Sequence, residues 1–260
     1  IVSTLAWGIG YFGMPHILVR FMAIEDEKKL TLSRRIASVW VVIAMTVGIF
    51  IGVVGLAMTK AGSLESLADS ETVIVRITGL ISSHGVIAAL IAGVILAGIL
   101  AATMSTSDSQ LLTAASGVSQ NILHDFVHVE MDEKKSLLTA RLTIVAIAVV
   151  AVFMARNPNS SVFGIVSFAW AGFGAAFGAV MLCALFWKRS TLAGAISGMV
   201  AGGVMVFVWK YLVRPLGGAF DIYELLPAFL VSLIVIVVVS FLTQKPSEKV
   251  LAEFDKAAEK

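Results

Sequence analysis

The sequence has little of what soluble enzymes and nucleic-acid-binding proteins depend on. Only 14% of its 260 residues are charged, whereas soluble domains average about 25%. Its single cysteine, Cys183, excludes an intrachain disulfide and a cysteine-rich metal site. No basic cluster is interleaved with aromatic residues, which argues against nucleic acid as a partner. With 58% hydrophobic residues and a mean hydropathy of +0.96, the composition predicts an all-α, polytopic membrane protein.

Patterns that indicate catalysis or metal binding are also scarce. His124 and His128 have an i, i+4 spacing that could hold a metal. They lie beside Asp125 and Glu130 in a polar stretch, however, which favours a solvated pair. No nucleophile, base and oxyanion donor occur at a credible spacing, so an enzyme is the least favoured class of function.

The chain begins without an initiator methionine and without a basic stretch ahead of an apolar core. This beginning does not have the pattern of a signal peptide. We interpret the chain as a segment of a larger membrane protein, and we expect part of any binding site to lie outside it.

Hydropathy predicts about seven transmembrane helices, because a hydrocarbon core of about 30 Å needs roughly 20 helical residues. Loops of one side hold 14 lysines and arginines and loops of the other side hold 5, which places the C-terminus in the cytoplasm. A charged connection at 119–136 and a charged tail at 243–260 complete the chain. The predicted spans are 1–20, 37–57, 85–118, 137–155, 162–187, 192–209 and 222–242.

The first span is predicted to be a broken helix. Gly8, Gly10, Gly13 and Pro15 all lie within it, and in a helix interior glycine costs about 1 kcal/mol and proline about 3 kcal/mol. In a membrane, the backbone groups freed by a break must find protein, water or ligand as partners. Broken helices of this kind line the binding sites of transporters.

Three residues of this span, Trp7, Tyr11 and Pro15, recur every four positions and are predicted to share one helical face. An aromatic pair beside opened backbone could hold a small zwitterion with an apolar body. The alternative is an aromatic belt at the membrane interface combined with an ordinary proline kink.

The third predicted span begins as an apolar run and turns polar without a proline to end the helix. Ala102, Ser105, Thr106 and Ser109 have the spacing i, i+3, i+4 and i+7 and therefore share one face. Hydroxyl and carbonyl oxygens suit a small hard cation that must bind and leave again. Alternatively, the hydroxyls bond back to their own helix or join neighbouring helices.

Asp108 lies in the same polar stretch. An ionisable residue inside a membrane helix, or at its end, indicates a functional site. The alternative is a solvated carboxylate at the cytoplasmic mouth of the span.

Four stretches, in this order along the chain, resemble the sodium:solute symporter family. The similarity covers almost the whole chain up to the final tail. The stretches run from Trp7 to Met22, from Leu100 to Thr106, from Ser167 to Gly178 and from Ala184 to Gly202.

The resemblance implies an inverted-repeat (LeuT-like) transporter fold with broken helices at the midplane of the membrane. On this interpretation residues 1–187 form the five spans of the second inverted repeat, and residues 188–242 form two peripheral transmembrane helices. Residues 243–260 are the cytoplasmic tail. The first repeat, which is the N-terminal half of such a protein, would be missing from the chain.

The resemblance also implies the ion and the substrate. In the family, positions that match Ala102, through its carbonyl, and Ser105 and Thr106, through their hydroxyls, bind the co-transported sodium ion. Further ligands come from the half that this chain lacks, so we expect the fragment alone to be unable to transport. Asp108 lies on a possible exit path for the ion. Positions associated with the substrate match Trp7, Tyr11, Pro15 and Ser109.

The implied function is sodium-coupled symport of L-proline across the cell (plasma) membrane by alternating access, with the lipid bilayer as surroundings. Two alternatives stay open within the family: a sodium symporter for another small solute, such as pantothenate or a sugar, and the transporter-like membrane domain of a sensor. Outside it, a channel is a further class, and saturable, sodium-stimulated uptake would distinguish a carrier from a pore.

Overall fold

The computed structural model describes residues 2–156 and 161–258, and all regular elements in these ranges are helical. The chain divides into two compact units. The first unit combines residues 1–22 with residues 157–260, and the second unit consists of residues 23–156.

The α-helices of the described residues are α1 (Val2–Gly10), α2 (Pro15–Met22), α3 (Lys29–Lys60), α4 (Val73–Ser82), α5 (Val86–Ser116), α6 (Glu133–Met154), α7 (Val162–Phe173), α8 (Ala179–Phe186), α9 (Leu192–Val208), α10 (Leu225–Leu242) and α11 (Glu248–Ala258). Short 3₁₀ turns cover Tyr11–Gly13, Ser70–Thr72, Arg214–Leu216 and Gly218–Phe220. Wider π turns cover Gly117–Phe126, Gly174–Gly178 and Trp209–Val213.

Six helical stretches in the described residues are long and apolar enough to cross a membrane, and the bent pair α1 and α2 brings the number up to seven. The prediction of a polytopic, all-helical membrane protein is therefore confirmed. The third predicted span extends further than expected, because the π turn continues α5 to Phe126. Part of the predicted connection at 119–136 is thus helical, since no proline interrupts the backbone hydrogen bonds before Pro158.

In the first unit, α9 and α10 form the most extensive helix pair. Gly194, Gly198 and Gly202 are four residues apart and leave no room for side chains; a Cβ on Gly198 would lie 2.2 Å from Cγ1 of Ile236. The Ser232 hydroxyl donates a hydrogen bond of 2.9 Å to the Gly198 carbonyl. Small residues thus let the two helices approach closely, as is common between membrane helices.

One buried apolar cluster of this unit consists of Ala179, Cys183, Phe229 and Ile236, on α8 and α10. At the far end of the unit, α11 is tied back to the segment after α8. The Lys188 ammonium donates to Oδ1 of Asp255 at 2.7 Å. The tail is therefore helical and attached to the unit by an ion pair.

In the second unit, α4 packs against α3 and α5, and α5 packs against α6. Few side chains are buried: the buried members of α3 to α6 are Gly55, Thr78, Ala92 and Ala115. Gly55 lets α3 approach α4, since a Cβ there would lie 2.2 Å from Cγ2 of Val73. The long helices therefore keep most of their apolar surface free of intramolecular contacts.

Candidate binding sites in the membrane helices

The first candidate site is the break between α1 and α2. Helix α1 ends at Gly10, a 3₁₀ turn follows, and Met14 has extended backbone with φ −81° and ψ 111°. Pro15 then begins α2, where its missing N–H does no harm. The two helices are bent by 50°, so the prediction of a broken first span is confirmed.

The glycines at this break let it lie directly against the π turn that follows α7. A Cβ on Gly13 would lie 2.3 Å from the Phe173 carbonyl oxygen, and a Cβ on Gly174 would lie 2.7 Å from Cα of Gly10. Backbone therefore meets backbone at this point. Single π turns inside helices frequently occur at functional sites.

Trp7 lies in a cluster of parallel rings, which we call the Trp7 cluster: Trp7, Phe163, Trp170 and Tyr223. The centroid distances from Trp7 are 5.5 Å to Phe163, 5.3 Å to Trp170 and 6.0 Å to Tyr223. The Trp170 indole N–H also donates a hydrogen bond of 3.0 Å to the Trp7 carbonyl. The position of Trp7 is thus set by contacts from two other segments, α7 and the connection before α10.

Tyr11 lies edge-on to Trp170 with a centroid distance of 4.8 Å, and about half of Tyr11 is exposed. Trp7 and Tyr11 therefore meet the same partner. The regular helix ends before Pro15, so helical spacing alone does not place Pro15 on their face. The substrate-binding roles of these three residues stay predictions.

The second candidate site is the polar stripe of α5, formed by Ala102, Ser105, Thr106 and Ser109. The helix is continuous through all four residues, as predicted. Thr106 donates from Oγ1 to the Ala102 carbonyl at 3.1 Å, and Ser109 donates from Oγ to the Ser105 carbonyl at 3.0 Å. Two hydroxyls thus bond back to their own helix, which was one of the alternatives from the sequence.

These back-bonds also bring oxygen atoms together on one surface of the helix. The Thr106 hydroxyl and the Ala102 carbonyl oxygen are already neighbours, and both residues are exposed together with Ser105. Asp108 is exposed too, three residues after Ser105. The described residues contain no group of three or more His, Cys, Asp or Glu side chains suited to a metal. The four residues of the stripe carry only hydroxyl and carbonyl oxygens, so a cation bound to them would meet neutral oxygens. The ligand roles stay predictions.

Sequence reasoning missed the partners of Trp7. Trp170 lies in one of the four quoted stretches, but its contact with Trp7 joins residues 163 positions apart. Tyr223 was placed in a peripheral span and nevertheless stacks on Trp7. The only available signal was an aromatic residue next to the charged Glu224 at the edge of an apolar run.

Comparison with known proteins agrees with the helices and motifs described above. The chain is 39% identical to the sodium/proline symporter of Haemophilus influenzae over 99% of the chain and 51% of that protein. It is also 39% identical to the sodium/proline symporter of Staphylococcus aureus, over 98% of the chain and 50% of that protein. The chain therefore spans about half the length of the curated relatives that it matches. No solved structure matches it.

The match to a family covers most of the chain. Residues 1–202 fit the sodium:solute symporter family, and this range contains the broken first span, the polar stripe of α5 and the π turn after α7. The membrane helices and the sequence thus lead to the same conclusion: the chain belongs to the sodium:solute symporter family.

Proposed function

We propose that this chain is the second half of a carrier that takes L-proline into the cell together with sodium by alternating access. The observation that carries the proposal is the 39% identity to sodium/proline symporters over nearly the whole chain. The broken helix and the polar stripe lie inside the matched region and supply chemistry for a zwitterion and for a cation. We place the carrier in the cell membrane with the C-terminus in the cytoplasm, because loops of that side hold most of the lysines and arginines.

Sodium is assigned to the polar stripe. The Ala102 carbonyl and the Ser105 and Thr106 hydroxyls offer neutral oxygens, which a hard cation prefers. The remaining ligands are assigned to the half of the relatives that this chain does not span. Sodium that enters with the membrane potential contributes about 2.3 kcal/mol per 100 mV, which can drive accumulation of the solute.

Proline is assigned to the broken helix. The face shared by Trp7 and Tyr11 offers aromatic surface for an apolar ring. The break beside Pro15 offers backbone groups for the charged ends of an amino acid. The family resemblance also associates the position of Ser109 with the substrate.

The test is radiolabelled proline uptake by the complete symporter that contains this chain, with and without sodium. We expect Ser105→Ala and Thr106→Ala to raise the sodium concentration for half-maximal uptake tenfold or more, which corresponds to about 1.4 kcal/mol of binding. Thr103→Ala is the matched control, because Thr103 makes the same kind of back-bond, to Ile99, outside the stripe. Uptake that is absent, or indifferent to sodium and to both hydroxyls, would contradict the proposal.

Two further outcomes follow from the incomplete site. The purified 260-residue chain in liposomes should not take up proline, and uptake by it would show that no second half is needed.

Asp108→Asn should slow release of sodium on the cytoplasmic side, measured as a lower turnover of the complete symporter. Unchanged transport kinetics would remove Asp108 from the exit path.

A further inference from the structure

The connection between α9 and α10 is anchored by a buried carboxylate. Glu224 is 1% exposed. Nη1 of Arg214 donates to its Oε2 at 3.2 Å, and Nζ of Lys210 lies 3.8 Å from its Oε1. Burial of an unpaired carboxylate is costly, so the two cations and Glu224 hold one another in place.

Tyr223, the residue before Glu224, contacts two other segments, α1 and α7. Its phenol donates a hydrogen bond of 2.6 Å to the Ser167 carbonyl on α7. Its backbone N–H donates to the Ser3 hydroxyl on α1 at 3.1 Å, and its ring stacks on Trp7. Burial, with a contribution from the Glu224 carboxylate, raises the pKa of Tyr223 above its usual range, so the phenol stays protonated and able to donate.

Helix α1 depends on such contacts for its orientation. It is nine residues long and ends at the break, and isolated helices of this length are marginal. Gly8 provides no side chain that could fix its rotation, and nothing lies within 4 Å of its Cβ position. Two contacts from Tyr223, one near the first turn and one at the Trp7 ring, therefore constrain both the position and the rotation of α1.

We infer that Tyr223 is a positioning residue for the substrate site: it holds α1 through Ser3 and orients the Trp7 ring without touching the substrate. The inference rests on the proposed function, since Trp7 is assigned to proline there. If the inference holds, the connection before α10 contributes to substrate affinity, although the sequence predicts that this connection belongs to a peripheral span.

The test compares three variants of the complete symporter in sodium-driven proline uptake, normalised to the amount of protein in the membrane. Tyr223→Leu should raise KM about two- to tenfold, the range that one aromatic pair contributes, and leave kcat within about twofold. Tyr223→Phe keeps the ring and the backbone N–H, so it should restore most of the affinity. Tyr211→Leu is the matched control, because Tyr211 is an exposed tyrosine near the same connection whose ring meets Phe168 and Phe207 instead.

Ser3→Ala is a second variant that keeps the inference testable if Tyr223→Leu does not reach the membrane. It removes only the acceptor of the Tyr223 N–H and should raise KM with unchanged kcat. Unchanged KM in both Ser3→Ala and Tyr223→Leu would overturn the inference while the wild type still supports the proposed function. Where the leucine variant is not inserted, unchanged KM in Ser3→Ala alone would overturn it. A wild type without proline uptake would overturn both.

A spectroscopic measurement addresses the contact without any substrate. The chain has five tryptophans, which ¹⁹F NMR can observe after labelling with 5-fluorotryptophan. The resonance that disappears in Trp7→Phe is assigned to Trp7. Tyr223→Leu should shift the Trp7 resonance and Tyr211→Leu should leave it in place. An unchanged Trp7 resonance in Tyr223→Leu would contradict the proposed role.

Discussion

The two units have similar apolar helices and very different interiors. We compare an 18-residue apolar stretch from each long span. In the first unit, 22% to 39% of the residues in these stretches are buried, whereas in the second unit the share is at most 6%. Hydropathy is similar in both, so the amount of apolar residue does not explain the difference. Contacts between helices depend on where small residues lie and on whether another helix packs against them.

The glycines illustrate this point. In the first unit, a Cβ atom added to Gly194, Gly198 or Gly202 would lie less than 3 Å from atoms of a neighbouring segment. Gly48 and Gly52 of α3 have the same spacing of four residues, yet nothing lies within 4 Å of their Cβ positions. A small-residue motif therefore permits close packing without showing which helix is the partner. In the second unit, lipid or the proposed first repeat would cover these faces.

The largest expected difference in stability is between alanine substitutions at two isoleucines, one in each unit. Ile236 in α10 is fully buried and Ile43 in α3 is half exposed. Ile236→Ala should lower the free energy of unfolding by about 2 to 5 kcal/mol, because it leaves a cavity, and Ile43→Ala should change it by about 0.5 kcal/mol. Thermal unfolding of the 260-residue chain in detergent measures both. Equal shifts would show that the difference in packing does not extend to stability.

A smaller effect is expected at the break. Gly13→Ala puts a methyl group against backbone atoms that cannot yield locally, which should cost about 1 to 3 kcal/mol. Gly8→Ala is the control, since nothing lies within 4 Å of its Cβ position, and helix propensity even favours alanine by up to about 1 kcal/mol. The same unfolding measurement compares the two. A destabilising Gly8→Ala would contradict the open surroundings of Gly8.

The third comparison is between two carboxylates that share Arg214. Glu224 is buried, whereas Asp221 is exposed at 2.9 Å from Nε of Arg214. Glu224→Ala should lower the midpoint of thermal unfolding by the equivalent of about 1 to 3 kcal/mol. Asp221→Ala should cost less than about 1 kcal/mol. If the two variants unfold at the same temperature, the buried anchor is not stabilising.

The smallest effects are expected from surface ion pairs, one in each unit. Lys188→Ala removes the pair with Asp255, which joins α11 to a segment 67 residues away, and Lys29→Ala removes a pair with Glu25 four residues away. Both should change the free energy of unfolding by less than about 1 kcal/mol. Limited proteolysis should still cut α11 faster after Lys188→Ala, and equal rates for wild type and variant would show that the pair does not hold the tail.

Local features of the fold could be predicted from the sequence. Pro15 and Gly13 determine the break because both act within a few residues of themselves. The continuity of α5 through Ser105 and Thr106 followed from the absence of proline. The back-bonds of Thr106 and Ser109 were among the alternatives as well, since a hydroxyl four residues after a carbonyl can always reach it.

Contacts between distant segments could not be predicted. Nothing near Trp7 indicates that Tyr223 would stack on it, and nothing near Glu224 distinguishes a buried anchor from a solvated charge at a membrane surface. The π turn at Gly117–Phe126 also escaped prediction, because charged residues there suggested a connection. The division into a repeat at 1–187 and peripheral helices at 188–242 stays a prediction, as do the sodium and proline assignments.

The burial of Cys183 has a practical consequence for spectroscopy. It is the only cysteine of the chain, it is 5% exposed, and buried thiols of this kind react slowly. New cysteines at exposed positions with open surroundings, such as Gly8 and Gly48, can therefore carry fluorophores or spin labels while the native thiol stays in place. Distances between such labels can report movements of the helices in an otherwise unaltered chain.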